Sequence, residues 1–286
     1  MSASVIGVFD SGHGGLTILE GLTAALPDQE FLYLGDHAHA PYGNRDSDDI
    51  FRLTVDAVER LFGFGCDLVV LACNTAAAVA LRRLQQTWLP QAHPEKRVLG
   101  VLVPMVEAIT GMPWMAEIPA SRHAGEQRTI AVFATRQTVS SEAYPREVHK
   151  RAPEVTVIQQ PCPHLAGMIE EGADRADIRR AVQNYVAELL HRLDGQAPQA
   201  AMLACTHYPL VTDLFAEALP PGVELLSQPE LTARSLKAYL ARHPEFAAPH
   251  PRDRTPPGHF LTSGDPARVS ALAQRFWKRD VTFLGL

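Results

Sequence analysis

Cysteine is scarce: four in 286 residues, no two of them in a CxxC pair. A disulfide scaffold, a zinc ribbon and a thioredoxin-type motif all need denser or closer-set cysteines, so none is expected. Thiols left free point to a reducing, cytoplasmic location. Lysine is scarcer than arginine and stands only at Lys96, Lys150, Lys237 and Lys278. None of these falls in a candidate site motif, so a Schiff-base lysine for pyridoxal phosphate is not expected, and no other cofactor is implied. No apolar run approaches the length of a membrane span. Met1-Ser2-Ala3-Ser4 leads directly into a strand-like run without the layout of a signal peptide, so no leader is expected. A net charge of −6 and the absence of a Lys/Arg run argue against nucleic acid as the default partner.

What remains is ordinary for a globular chain, with 46% hydrophobic and 20% charged residues. Its length suits one large or two modest domains. Apolar runs over 5–9, 31–34, 68–71, 98–102, 129–133, 155–158, 200–203 and 223–226 read as strands, with 259–261 and 281–283 closing the chain. Between them, helices are expected over about 16–26, 46–64, 76–89, 138–151, 164–171, 174–193, 211–218, 229–241 and 266–277. The 46–64 stretch is amphipathic, apolar at Ile50, Leu53, Val55, Val58 and Leu61. Proline and glycine mark 111–128 as a surface insertion and 247–258 as a loop. Strand–helix alternation of this kind predicts an α/β fold with mainly parallel sheets.

The one internal echo is chemical. Leu71-Ala72-Cys73-Asn74-Thr75 and Leu203-Ala204-Cys205-Thr206-His207 each place a cysteine at the end of an apolar strand, with small hydrogen-bonding residues after it. In α/β proteins the carboxyl ends of strands are where ligands bind. A single strand-end cysteine is most simply a packing residue. Two in matching context suggest two similar halves, each delivering one thiol to a shared site. Two thiols facing one carbon could act as base and acid from opposite sides, tuned by a nearby carboxylate or imidazole.

Other residues could frame that site. Asp10-Ser11-Gly12-His13-Gly14-Gly15 is a strand–turn–helix element whose backbone can approach a ligand. It has neither glycine fingerprint of the nucleotide-binding folds, and Asp10 is a strand-end carboxylate able to hold an ammonium group. His207 can exchange a proton near neutrality. His37 and His39 are two apart, as in some metal sites, but no partner set of Asp and His stands out and no metal is expected. Cys66 and Cys162 lack the motif and read as structural. Glu170-Glu171-Gly172 reads as a solvated helix end with a glycine cap.

Taken together, these segments resemble the glutamate racemase family, within the aspartate/glutamate racemases. The resemblance is carried by Gly7-Val8-Phe9-Asp10-Ser11-Gly12 with Gly14-Gly15-Leu16, Gly35-Asp36 with Pro41-Tyr42-Gly43, and Ala72-Cys73-Asn74-Thr75. Further along it rests on Thr135 and Thr138 with Ser141 and Tyr144, Cys162-Pro163, Glu170-Glu171-Gly172 and Cys205-Thr206-His207-Tyr208-Pro209. Thr232-Ala233 and Thr262-Ser263-Gly264-Asp265 extend it. The chain departs from the family pattern at His37, His39, Ala40, Ala77, Val103 and Ala134.

The resemblance implies two pseudo-symmetric α/β domains with the active site in the cleft between them, bounded here as 1–98 plus 209–286 and 99–208. It implies cofactor-independent interconversion of L- and D-glutamate for peptidoglycan, by a homodimer. Cys73 would serve the D face and Cys205 the L face, assisted by Asp10 and by His207, with Glu170 near the second thiol. Asp10, Ser11, Tyr42, Gly43, Asn74, Thr75, Thr206 and His207 would bind the amino acid, with Thr135 and Thr138 helping. The rival readings are a related racemase acting on aspartate or another amino acid, and a binding protein on the same fold without turnover.

Overall fold

The computed structural model describes residues 5–114, 127–247 and 259–286. Among them the strands form two all-parallel sheets. The first holds β1 (Val5–Asp10), β2 (Glu30–Gly35), β3 (Leu68–Leu71), β4 (Arg97–Gly100), β9 (Phe260–Thr262) and β10 (Leu284–Gly285), in the order β10-β9-β2-β1-β3-β4. The second holds β5 (Arg128–Ala134), β6 (Val155–Pro161), β7 (Ala200–Ala204) and β8 (Glu224–Leu226), in the order β6-β5-β7-β8. The inner strands β1, β3 and β7 are buried along their whole length. That is why they read as unbroken apolar runs rather than as alternating ones.

The two sheets repeat one plan. In each, the first strand lies between the second and the third, giving 2-1-3-4 in one half and 6-5-7-8 in the other. Strand order therefore reverses between β1 and β3, and again between β5 and β7. Crevices at such reversals, beyond the carboxyl ends of the strands, are where open α/β sheets bind ligands. Asp10 ends β1 and Cys73 follows β3; Thr135 follows β5 and Cys205 follows β7. The echo between the two cysteine motifs is thus an echo of topology. The expected first domain (1–98 plus 209–286) took in 223–226, yet β8 pairs with β7 in parallel register, Ala200 opposite Glu224 through Met202 opposite Leu226. The second sheet therefore runs past residue 208 to Leu226, because this strand's edge is completed by β7.

The helices are α1 (Leu16–Ala25), α2 (Ser47–Gly63), α3 (Asn74–Val79), α4 (Leu81–Arg83), α5 (Leu89–Ala92), α6 (Leu102–Thr110) and α7 (Arg136–Ser140), followed by α8 (Ala143–Arg151), α9 (Leu165–Glu171), α10 (Arg175–Arg192), α11 (Thr212–Ala218), α12 (Gln228–Arg242) and α13 (Pro266–Ala273). In α2 the buried set Ile50, Leu53, Thr54, Ala57, Val58, Leu61 and Phe62 keeps helical spacing, and the Asp46 carboxylate caps the first turn by accepting from Asp49 N at 2.8 Å. The helix expected over 76–89 begins at Asn74 and is interrupted, with a π turn at Leu84–Trp88 between α4 and α5. The helix expected over 138–151 is two helices, broken where Glu142 takes φ 53°. The strand expected to reach residue 102 ends at Gly100, and α6 follows it. At the chain end, the strand falls at Leu284–Gly285 rather than at 281–283. Most of the expected insertion over 111–128 and nearly all of the expected loop over 247–258 lie outside the described residues.

After β8 the chain returns as α12 and packs on α1 and α6. A Cβ at Gly21 of α1 would stand 2.9 Å from the Pro229 carbonyl oxygen, so glycine lets the two helices approach at this point. Gly21→Leu is expected to destabilise the protein by about 1–3 kcal/mol through overpacking, measured by urea unfolding. An unchanged midpoint would mean that α12 does not seat on α1 here.

Candidate active site

The carboxyl edges of the two sheets meet through the loop after β1 and the loop after β7. Gly14 lies where they touch: a Cβ there would run into Thr206 Oγ1 and would stand 2.5 Å from His207 Nδ1. Thr17 Oγ1, one turn into α1, donates to the Thr206 carbonyl at 2.9 Å. Asp10 joins the same contact. One of its carboxylate oxygens accepts from Gly12 N at 2.8 Å, the other from Thr206 Oγ1 at 3.2 Å. Asp10 is buried, and burial raises its pKa against the pull of His207, the Gly12 N–H and the Thr206 hydroxyl.

Cys73 caps α3, its sulfur accepting from Ala76 N at 3.5 Å and lying 3.5 Å from Ser11 Oγ. Burial, reinforced by the negative charge of Asp10, pushes this thiol up to about 12. Cys205 is equally buried, and its sulfur lies 3.8 Å from His207 Nδ1. His207 Nε2 in turn meets Glu170 Oε2 at 2.5 Å. Burial opposes a charge on His207, yet the hydrogen bonds to Cys205 and Glu170 outweigh it and raise the ring well above an ordinary imidazole. Burial likewise opposes a charge on Glu170, but bonds from His13 and His207 hold it below the usual carboxylate range. One thiol thus stands beside a carboxylate and the other beside an imidazole–carboxylate pair.

The remaining candidate binding residues form a second seam between the sheets. Thr75 Oγ1 lies 3.0 Å from Thr135 Oγ1 and 3.5 Å from Thr138 Oγ1, and the last two are 3.1 Å apart. Gly43 brings its loop against this group, since a Cβ there would be 2.9 Å from Thr135 Cβ. Tyr42 OH donates to Asp36 Oδ2 at 2.6 Å, so the phenol serves the loop rather than open space. Asn74 is placed differently from its expected role. Its side-chain amide is buried and committed to Gln228, with paired bonds of 2.7 and 2.9 Å, and to Tyr144 OH at 2.9 Å. Its side chain therefore clamps α3 to α8 and α12.

Glu170, read from the residues alone as a solvated helix end, has a carboxylate only 26% exposed that faces two histidines. His37 and His39 part company: His37 Nδ1 lies 2.9 Å from Thr262 Oγ1, and His39 Nδ1 lies 2.9 Å from Asp36 Oδ1. The residues sequence reasoning passed over are His13, bonded to Glu170, and Gln228, bonded to Asn74; only the unusual polarity of His13 within a glycine turn hinted at either. A cavity of about 900 Å³ is lined by Ala77, Leu81, Val103, Glu107, Trp114 and Tyr239 among others, and by neither Cys73 nor Cys205.

The chain is similar to known proteins over nearly its whole length. A family model described as Asp/Glu/Hydantoin racemase matches residues 16–236. A curated glutamate racemase of Phenylobacterium zucineum is 49% identical over 283 residues, spanning 97% of this chain and 98% of its own length. Among solved structures, a glutamate racemase isoform from Bacillus anthracis superposes with a TM-score of 0.82 at 29% identity, covering 99% of this chain and 97% of that one. A glutamate racemase from Francisella tularensis in complex with D-glutamate gives 0.79 at 26%, covering 98% and 96%.

The coupled charges of Glu170 and His207 set a pH window for stability. A carboxylate with a depressed folded pKa stabilises above its unfolded value, roughly pH 4.3, and loses this as pH falls through the folded value. An imidazole with a raised pKa stabilises below roughly pH 6.5 and loses this as pH rises through its folded value. The stability gap between the protein and Glu170→Gln is therefore expected to be widest between about pH 4.5 and 6.5. Denaturant unfolding across pH measures it, and a gap independent of pH would contradict the charge assignment.

Proposed function

The chain belongs to the Asp/Glu/Hydantoin racemase family, and we propose that it interconverts L- and D-glutamate with Cys73 and Cys205 as the two bases. It is an amino-acid racemase, hence an isomerase. The observation that carries the two-base reading is Asp10: this one buried carboxylate bonds across to Thr206, beside Cys205, and its charge acts on the Cys73 thiol. This supports reading the two strand-end cysteines as parts of one site.

Racemisation needs a proton taken from Cα on one face and another given on the opposite face. Without a pyridoxal sink, the carbanion that develops between these steps needs electrostatic stabilisation. Starting from the L enantiomer, Cys205 as thiolate takes the Cα proton while Cys73 as thiol delivers its own. After turnover Cys73 is the thiolate and Cys205 the thiol, so the return reaction finds the charges it needs. His207 supports Cys205 by holding or releasing a proton at Nδ1, with Glu170 balancing its charge. Asp10 serves Cys73, which burial keeps protonated until a substrate ammonium enters to offset the carboxylate.

The hydroxyls of Thr75, Thr135 and Thr138 supply donors for a substrate carboxylate, and Ser11, Thr206, His207, the Tyr42-Gly43 backbone and the Asn74 backbone complete the binding set. The preference for glutamate rests on the curated relatives, which carry that name at 46–50% identity. By the same family resemblance, the product would supply peptidoglycan synthesis in the cytoplasm, from a homodimer that uses no cofactor.

Incubation of each glutamate enantiomer in D₂O is expected to load deuterium at Cα and to bring the optical signal to zero, read by NMR and circular dichroism. Cys73→Ser and Cys205→Ser are each expected to lower racemisation by about 10²-fold or more. Full two-way activity in either variant would rule out the two-base mechanism. Faster turnover of aspartate than of glutamate would overturn the substrate assignment.

A further inference from the structure

Glu170 is bonded to two histidines, and the reaction proposed above uses only His207. The other, His13, sits in the glycine turn after β1 and is 1% exposed. Its Nε2 lies 2.9 Å from the Val269 carbonyl oxygen in α13. A carbonyl only accepts, so Nε2 carries the hydrogen of that bond. Nδ1 then faces Glu170 Oε1, and one proton lies between those two atoms. From the opposite side, His207 Nε2 meets Oε2 of the same carboxylate at 2.5 Å, and its Nδ1 faces Cys205 Sγ at 3.8 Å. The result is an unbroken line: Val269 carbonyl, His13, Glu170, His207, Cys205.

The His13 ring is held from several sides. It stacks on Phe276 with centroids 5.5 Å apart and planes 16° apart, meets Phe283 edge-on at 6.1 Å, and lies 4.2 Å from the His37 ring. Phe276 and Phe283 are themselves buried. Glu170, by contrast, ends a seven-residue helix and keeps 26% of its side chain exposed. A glutamate so placed has rotamer freedom to lose, and a rigid donor on Oε1 selects the rotamer that leaves Oε2 on His207.

We propose that His13 is a positioning residue for the Cys205 half of the reaction, fixing the Glu170 carboxylate against His207 Nε2 so that His207 Nδ1 is presented to Cys205 Sγ. This rests on the two-cysteine reading above. One proton moves, between Cys205 Sγ and His207 Nδ1; the one between His13 and Glu170 stays in place. Cys73 lies outside the line, since its sulfur contacts Ser11 Oγ and Ala76 N and its carboxylate neighbour is Asp10. The ionisable groups facing His13 are Glu170 and His37, with Asp36 beyond His37, His207 beyond Glu170, and Arg275 Nη1 donating to the Glu170 carbonyl at 3.2 Å. Burial, with His13 beside it, lowers His37 to about 4, so His37 stays neutral across the working range.

His13→Leu keeps the bulk and removes the donor; His13→Asn loses bulk and keeps a donor near the place of Nδ1. Enantiomers have an equilibrium constant of one, so kcat/KM must fall equally in both directions. His13→Leu is expected to lose about 10- to 100-fold, the worth of one hydrogen bond to a charged group. The two halves separate in the primary isotope effects with Cα-deuterated substrates. The effect should rise for the enantiomer that gives its proton to Cys205 and fall for the other. His13→Asn should recover most of the rate despite packing worse. Isotope effects that stay fixed or move together, or an Asn variant no better than Leu, would overturn the proposal. Should the Leu variant not fold, the Asn variant decides: a near-normal rate supports the role, and a collapse as deep as that of Glu170→Gln overturns it. Absence of Cα exchange in the unsubstituted protein would be a separate failure, that of the glutamate racemase reading itself.

Discussion

Everything at this site depends on two loops that close on each other without a gap, the turn after β1 and the turn after β7. Gly14 has no side chain because Thr206 and His207 occupy that volume. Thr17 and Asp10 then bond across the contact to the Thr206 carbonyl and hydroxyl. Such a contact buries polar groups, which is costly unless each is paired. Here the pairing is met from the opposite sheet, so neither loop is complete without the other. The energetic consequence is that the two halves are held in register at the contact between these loops. The chemical consequence is that an Asp10 carboxylate belonging to one cysteine's strand neighbourhood is also bonded next to the other cysteine.

Duplicated topology explains why both thiols stand beyond strand ends but not why their surroundings differ. Both follow the third strand of a 2-1-3-4 unit. Yet one is accompanied by a bare carboxylate and the other by an imidazole bonded to a carboxylate. A symmetric pair of environments would leave the proton placement between two buried thiols undetermined. Unequal partners give each sulfur a different charged neighbourhood: Asp10 beside one, His207 bonded to Glu170 beside the other. Part of the asymmetry is built outside the repeat. Glu170 comes from α9, between β6 and β7, but Val269, Phe276 and Phe283, which hold the His13 ring bonded to it, come from the C-terminal segment that adds β9 and β10 to the first sheet alone.

That origin also marks where the sequence could be read. Strands such as β1, β3 and β7 are buried on both faces, and their composition alone makes them visible. The two cysteine motifs stand at their ends, so the core of the site was legible as soon as the pair was noticed. The amphipathic α2 was legible for the same kind of reason, with Asp46 marking its start. What stayed hidden has no local signature. Helix α6 follows β4 in one apolar stretch, because Leu102, Met105, Val106 and Ile109 are all buried, and 98–102 read as strand throughout. Nothing near Glu142 announces a left-handed residue between α7 and α8, where glycine or asparagine would have done so. Residues 223–226 were correctly a strand, but which sheet they join depends on a neighbour in β7.

The same logic separates the residues of the site itself. Asn74 sits beside a thiol in both sequence and space, which made a substrate contact the natural expectation. Its amide is instead saturated by Gln228 and Tyr144, three bonds that tie α3 to the returning helix α12 and to α8. Glu170 shows the converse, a helix-end acid that by itself looks solvated and is made a half-buried partner by two histidines distant in the chain. In both cases the side chain's chemistry was visible and its partner was not. A residue's role follows from which donor or acceptor it is left to satisfy once the fold has closed, and that is decided by contacts across the two sheets. The conspicuous motif marks the candidate site; its hydrogen-bonding partners come from inconspicuous residues elsewhere in the chain.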